Sequence, residues 1–254
     1  MIARRHTTTI VLDIETQRPP ADSPAWLVRR ARLEAATYDA PANYKDPEAI
    51  ARAVAAKRDA AIAAAYDDSA LDPTLGLVAC IGWAVDDEEP VAVGDFAGDF
   101  DAFTGERRAL YDLAHLLDVL GSFRIVAHNG AGFDGPFLQA RALVHYRDAV
   151  ARGDGGAETF RSLVRALGGL GGKPWDSPIV DTATLWPSCG YGGRKGSAKL
   201  DDVCAALGIV RAPSIASRDV PTAWAEGRRE AVREHLIADV TELREVWRVI
   251  GGVS

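Results

Sequence analysis

The run TTTIVLDIET, residues 7 to 16, constrains the fold more than any other stretch of the chain. Threonine, isoleucine, valine and leucine favour a pleated, half-buried surface, so the segment predicts a first strand. Strand side chains alternate between faces, and residues two apart project from the same side. Asp13 and Glu15 therefore share one face at the end of an apolar strand. Held that close and shielded from water, they raise each other's pKa unless a cation or a proton intervenes. A fold that accepts this strand must bring positive charge to its end.

The rest of the chain reads as helices interleaved with short strands. Residues 17 to 75 form an insertion that opens with proline-rich loop and turns helical at DPEAIARAVAAKRDAAIAAAY, where Asp46 is the cap and Pro47 the first helical residue. Lys45, Lys57 and Arg58 decorate this helix, a solvated face by the plain reading and a phosphate contact by the sharper one. LGLVACIGWAV and PVAVGDF predict a hairpin around the acidic turn DDEE. GERRALYDLAHLLDVL has helical periodicity, FRIVAHN reads as a strand, and a helix follows from about Phe133 to Val144. AETFRSLVRAL is a short helix between glycine-rich loops, and PIVDTATLW is an extended segment leading into a helical turn. SCGYGGRKGS has linker composition and is no phosphate-binding loop, because Lys195 precedes Gly196. AKLDDVCAALGI predicts a helix ending at a Gly208 cap, and an amphipathic helix from about Ala225 to Ile250 closes the chain. This order implies an α/β fold with helices packed on a mixed sheet. With 48% hydrophobic residues, all 254 fit one large domain, residues 1 to 254.

A net charge of −7 argues against a broad basic surface that grips nucleic acid by phosphate neutralisation alone. It leaves room for a local site in which metal ions carry the positive charge. Cys80, Cys189 and Cys204 are far apart, so neither a disulfide framework nor a zinc knuckle is expected and a reducing cytosol fits. Basic Arg4 and Arg5 precede an apolar run too short for a signal segment or a membrane span. A soluble, cytoplasmic protein with no membrane partner is expected.

Two further stretches carry candidate chemistry. In VAHNGAGFDGPFL, Asp134 falls at a strand-to-helix junction, where open sheets place ligands; alone it also reads as a helix-capping acid. In EHLIADVTEL, His235 and Asp239 are four apart on one helical face, which alone suggests a local hydrogen bond. Asp181, followed by threonine at the start of a helical turn, reads as structural.

Together these stretches resemble the DEDD superfamily of 3'→5' exonucleases. Its D-x-E motif matches Asp13-Ile14-Glu15, its N-x-x-x-F-D motif matches Asn129 to Asp134, and its third motif ends at Asp239. HNGAGFDGPFL and IADVTEL are most similar to the exonuclease domain of family B DNA polymerases, and NYKDPEAI resembles stand-alone members from phages and prophages. The resemblance spans nearly the whole chain. One departure stands out: His235 has the histidine of one branch at the four-residue spacing of the tyrosine branch, so it either deprotonates the attacking water or orients it.

The resemblance implies a ribonuclease H-like fold: a mixed five-stranded sheet with helices on both faces and a helical insertion after the first strand. It implies metal-dependent removal of nucleotides from DNA 3' ends, single strands preferred, with two Mg²⁺ or Mn²⁺ ions held by Asp13, Glu15, Asp134 and Asp239. Asp13 would bridge both ions, Glu15 and Asp239 would complete the site that activates water, and Asp134 would serve the second. Hard oxygen donors without cysteine suit these metals. His235, with an ordinary pKa near 6.5, is the candidate proton acceptor. Asn129 and Phe133 are implied contacts to the terminal nucleotide and Thr16 a further one; for Phe133, core packing is the plain alternative. The same chemistry on RNA or short oligonucleotides, an inactive nucleic-acid-binding domain, and a ribonuclease H-fold endonuclease remain as rivals. No polymerase domain is read here, so any proofreading would serve a polymerase, or other replication or repair proteins, in trans.

Overall fold

The computed structural model describes residues 7–170, 177–186 and 198–251; the SCGYGGRKGS segment with Cys189 and Lys195, and Arg4 and Arg5, lie outside them. The opening run forms strand β1 (Thr8–Gln17), and the insertion follows with helices α1 (Pro24–Glu34) and α2 (Pro47–Asp67). The predicted hairpin is β2 (Leu77–Val85) and β3 (Val91–Gly94), then come α3 (Ala102–Leu120), β4 (Phe123–Ala127), α4 (Asp134–Arg152) and α5 (Ala157–Ala166). β5 (Ile179–Asp181), α6 (Thr182–Leu185), α7 (Leu200–Leu207), α8 (Val220–Ala225) and α9 (Arg229–Gly251) complete the order.

The sheet runs β3-β2-β1-β4-β5, antiparallel at β1–β2 and β2–β3 and parallel at β1–β4 and β4–β5. It is a mixed five-stranded α/β sheet, consistent with a ribonuclease H-like fold. Alternation along β1 sorts its two faces. Ile10, Leu12 and Ile14 enter the core built with α3, α4 and α5, while Val11 enters the core built with α8 and α9. Asp13 and Glu15 continue the Val11 face, so both project toward the side that α9 covers. The β1–β2 register shifts between Glu15 and Thr16, from Glu15 opposite Cys80 to Thr16 opposite Val78. Such a bulge re-aims side chains at the strand end where the acids stand.

α9 lies close to the sheet because Gly82, opposite Asp13, has no side chain: a Cβ there would stand 2.7 Å from Leu236 Cγ. On the other face Glu106, Arg141 and His145 form a buried cluster. Arg141 donates to both Glu106 oxygens at 2.8 Å, His145 Nε2 meets Oε2 at 2.8 Å, and the Val78 N–H donates to Oε1 at 2.7 Å. Cys80 and Cys204 are buried free thiols.

Three element boundaries differ from the sequence reading. α1 occupies part of the expected proline-rich loop, with Pro24 at its first turn, where the missing N–H costs nothing. α4 runs to Arg152, where Gly153 ends it in the left-handed conformation at φ 65°. The last helix begins at Arg229, because Gly227 at φ 77° breaks the run after α8. α2 starts where expected, Asp46 Oδ2 accepting the Ala49 N–H at 3.0 Å. Arg58 pairs with Asp59 and Lys57 with the Asp39 carbonyl, so these charges sit on a solvated face. Among the described residues, no helix is long and apolar enough to cross a membrane.

Candidate active site

An open pocket of about 640 Å³ lies at the end of β1, lined by Asp13, Glu15, Thr16, Asn129, Phe133, Asp134 and Asp239. Every sequence-derived site residue except His235 reaches it. β1 delivers the first three, the turn after β4 delivers Asn129 and Phe133, and the start of α4 and the middle of α9 deliver the last two acids. Asn129 adopts φ 62°, a left-handed conformation that asparagine tolerates, and its carbonyl accepts the N–H groups of Gly132 and Phe133. This tight turn aims Asp134 at the pocket from the first turn of α4, where the helix dipole favours an anion. Phe133 is half-buried: its ring meets Phe137 at 5.4 Å and its other side lines the pocket.

His235 is 2% exposed and stands behind the acids. Its Nε2 lies 3.2 Å from Glu15 Oε1 and 3.5 Å from Asp239 Oδ2, and its Nδ1 lies 3.0 Å from Ser214 Oγ. Glu15, His235 and Asp239 present ligand atoms within 4.8 Å of one another. Asp181 does not line the pocket. Its carboxylate accepts the N–H groups of Asn129, Ala131 and Ala183, so it braces the Asn129 turn and caps α6.

Burial and crowding make the site costly to charge. Burial, then the charges of Asp134, Glu15 and Asp239, push the Asp13 carboxyl well above the usual range. Burial raises Asp134 to about 7, with the Glu15 and Asp181 charges adding to it and backbone N–H groups opposing. Burial also raises Glu15 and Asp239, against the pull of His235. Burial disfavours a charged His235, yet the hydrogen bond and charge of Glu15 and the charge of Asp239 prevail and raise its pKa. Asp67, Asp68 and Asp219 add to the acidic lining, against Arg18 and Arg218. An anionic substrate entering this pocket meets net repulsion unless cations are bound. The donor set, oxygen-rich and over-charged, fits hard divalent ions.

No protein-family model and no curated protein matches the chain. Among solved structures, it is similar to the family B DNA polymerase from the hyperthermophilic archaeon Pyrobaculum calidifontis. The likeness is one of fold. The TM-score is 0.51 at 15% identity, over 96% of this chain and 24% of the polymerase, so the chain spans about a quarter of that protein's length.

Sequence reasoning missed Arg18 and Arg211. Arg18 lines the pocket, held 3.1 Å from Thr222 Oγ1 and 3.0 Å from Asp67 Oδ1. Its place directly after the first strand was the available signal. Arg211 lies 2.5 Å from Asp239 Oδ1, and nothing in its loop sequence, 28 residues earlier, announces the pairing.

Proposed function

We propose that this chain is a metal-dependent 3'→5' exonuclease that hydrolyses phosphodiester bonds at DNA 3' ends, with single strands preferred. The observation that carries the reading is the convergence of Asp13, Glu15, Asp134 and Asp239, from a strand, a helix start and the last helix, on one open pocket. The order of these acids is that of the DEDD motifs, and the fold shared with a family B DNA polymerase supports the branch that the motifs resemble.

Asp13, Glu15, Asp134 and Asp239 would hold two Mg²⁺ or Mn²⁺ ions, which supply charge stabilisation at the attacking and leaving oxygens. The chain's own residues orient the substrate. Phe133 offers a ring face to the terminal sugar or base, a sequence-tolerant contact, while Asn129 and Thr16 provide hydrogen bonds at the same wall. Arg18 and Arg218 offer the lining's positive charge to the phosphate. His235, behind Glu15 and Asp239, acts as a positioning residue that orients both acids. Single strands are preferred because a terminal nucleotide must leave its duplex to reach acids on a pocket floor. A cytoplasmic enzyme, acting alone or beside a polymerase or repair protein in trans, fits this reading.

The test is a time course on 5'-labelled single-stranded DNA and RNA of one sequence, and on closed circular DNA, with Mg²⁺, Mn²⁺ or chelator, beside Asp13→Ala. The expected result is a descending ladder on DNA that needs metal and is absent in the variant. A ladder on RNA alone would reassign the sugar, cleavage of closed circular DNA would indicate an endonuclease, and binding without cleavage would leave a nucleic-acid-binding domain.

A further inference from the structure

Two basic side chains of the chain stand against Asp239 itself: His235, one turn before it, and Arg211, on a strap that leaves α7 and crosses α9 before reaching α8. Arg211 Nη2 lies 2.5 Å from Asp239 Oδ1, and its Nη1 pairs with Asp201. Its Nε approaches Glu242 Oε2 at 2.8 Å, an ion pair without hydrogen-bond alignment. The Ala212 N–H donates to Glu242 Oε1 at 2.9 Å, and Ser214 Oγ meets His235, so the strap is fastened to α9 at several points. Glu242, three residues after Asp239 on the same helical side, is buried.

We infer that Arg211 competes with the divalent metal for Asp239: it neutralises that carboxylate while the metal is away, and retreats to Glu242 and Asp201 when the metal binds. The inference rests on the metal-dependent reading of the site. Asp239 does not need Arg211 to hold its place, because α9 is anchored by buried Leu236, Val240 and Leu243. A divalent ion on Asp239 Oδ1 would stand beside the guanidinium, and like charges at a few ångströms repel strongly in a partly buried setting. Glu242 and Asp201 give the displaced guanidinium two other carboxylates, so it stays nearby instead of leaving for solvent. Coupling is reciprocal: whatever affinity Arg211 takes from the metal, the metal takes from the Arg211–Asp239 pair.

The experiment is a Mn²⁺ titration of the full chain without nucleic acid, following free Mn²⁺ by electron paramagnetic resonance. Wild type is compared with Arg211→Met, Arg211→Lys and the double variant Arg211→Met with Glu242→Gln. The double variant removes the buried Glu242 carboxylate together with its guanidinium partner and leaves the formal net charge unchanged, so it carries the test even where the single variant folds poorly. Both Met variants are expected to bind Mn²⁺ about five- to tenfold more tightly, with Arg211→Lys closer to wild type. Unchanged affinity in the double variant would overturn the inference, and weaker affinity would make Arg211 a support for Asp239 instead of a rival of the metal. Absence of Mn²⁺ binding in every protein, wild type included, would remove the metal-dependent reading itself, an outcome distinct from either.

Discussion

His235 Nε2 stands 3.2 Å from Glu15 Oε1, so one imidazole ties the last helix to the first strand at the point where the acids meet. The ring does not line the pocket, and both nitrogens face protein partners. This geometry separates orientation from proton transfer. His235→Gln keeps an N–H near the Nε2 position and should retain kcat/KM within a few-fold, whereas His235→Ala should lose about 10–100-fold, the range for groups that orient metal ligands. Equal, deeper losses in both variants, with loss of the acid limb of the pH–rate profile, would assign proton transfer to the ring itself.

Asp13 shows the conflict between stability and chemistry most directly. Burial first, and then the charges of three neighbouring acids, push its half-buried carboxyl well above the usual range. Asp13→Asn removes that repulsion and keeps the shape. Turnover should vanish while metal-free stability rises by about 1 kcal/mol, a gain of about 3 °C in Tm for a chain of this size. Calorimetry in chelator checks the second half; a lower Tm would mean that the carboxylate is compensated within the fold.

Much of this arrangement was legible in the sequence. Period-two alternation put Asp13 and Glu15 on one face, and Val11 on the α9 side bears that out. The glycine turn before Asp134 and the four-residue spacing of His235 and Asp239 also stand as read. The Arg211 contacts were invisible because they depend on how a loop crosses a helix, which no local periodicity encodes. α1 was hidden by prolines that read as loop, although Pro24 at a first turn is compatible with helix. The break before α9 rests on the left-handed φ of Gly227, which composition alone does not reveal.

Gly82 couples core packing to the site. A methyl group there would meet Leu236 Cγ at 2.7 Å and Val240 Cγ2 at 3.0 Å, both on the face of α9 that also carries Asp239. Gly82→Ala is therefore expected to lift α9 from the sheet, costing about 1–3 kcal/mol by overpacking. Because His235 and Asp239 move with that helix, catalytic efficiency should fall more than stability explains. Denaturant melts beside kcat/KM measure both; full activity in a destabilised variant would mean that the helix slides without disturbing the acids.

The acids also set how stability follows pH without metal. Asp134 is raised to about 7, and Asp13, Glu15, Asp239, Glu242 and His235 are shifted in the same direction. A group whose folded pKa lies above its unfolded value stabilises fully below the unfolded pKa and loses that contribution as pH rises through the folded one. For Asp134 the loss spans about pH 4 to 7 and is complete above it. Glu106 runs the other way: burial raises its pKa but the His145 and Arg141 hydrogen bonds prevail and lower it, so its contribution is lost only in acid. In chelator, Tm should fall as pH rises from 5.5 to 8.5, and Asp134→Asn should flatten that fall. Mn²⁺ should restore Tm most at the alkaline end, where the carboxylates are charged and a cation relieves their repulsion. A Tm that rises with pH across this range in chelator would mean that the acids are already neutralised within the chain, and that the site has no need of metal.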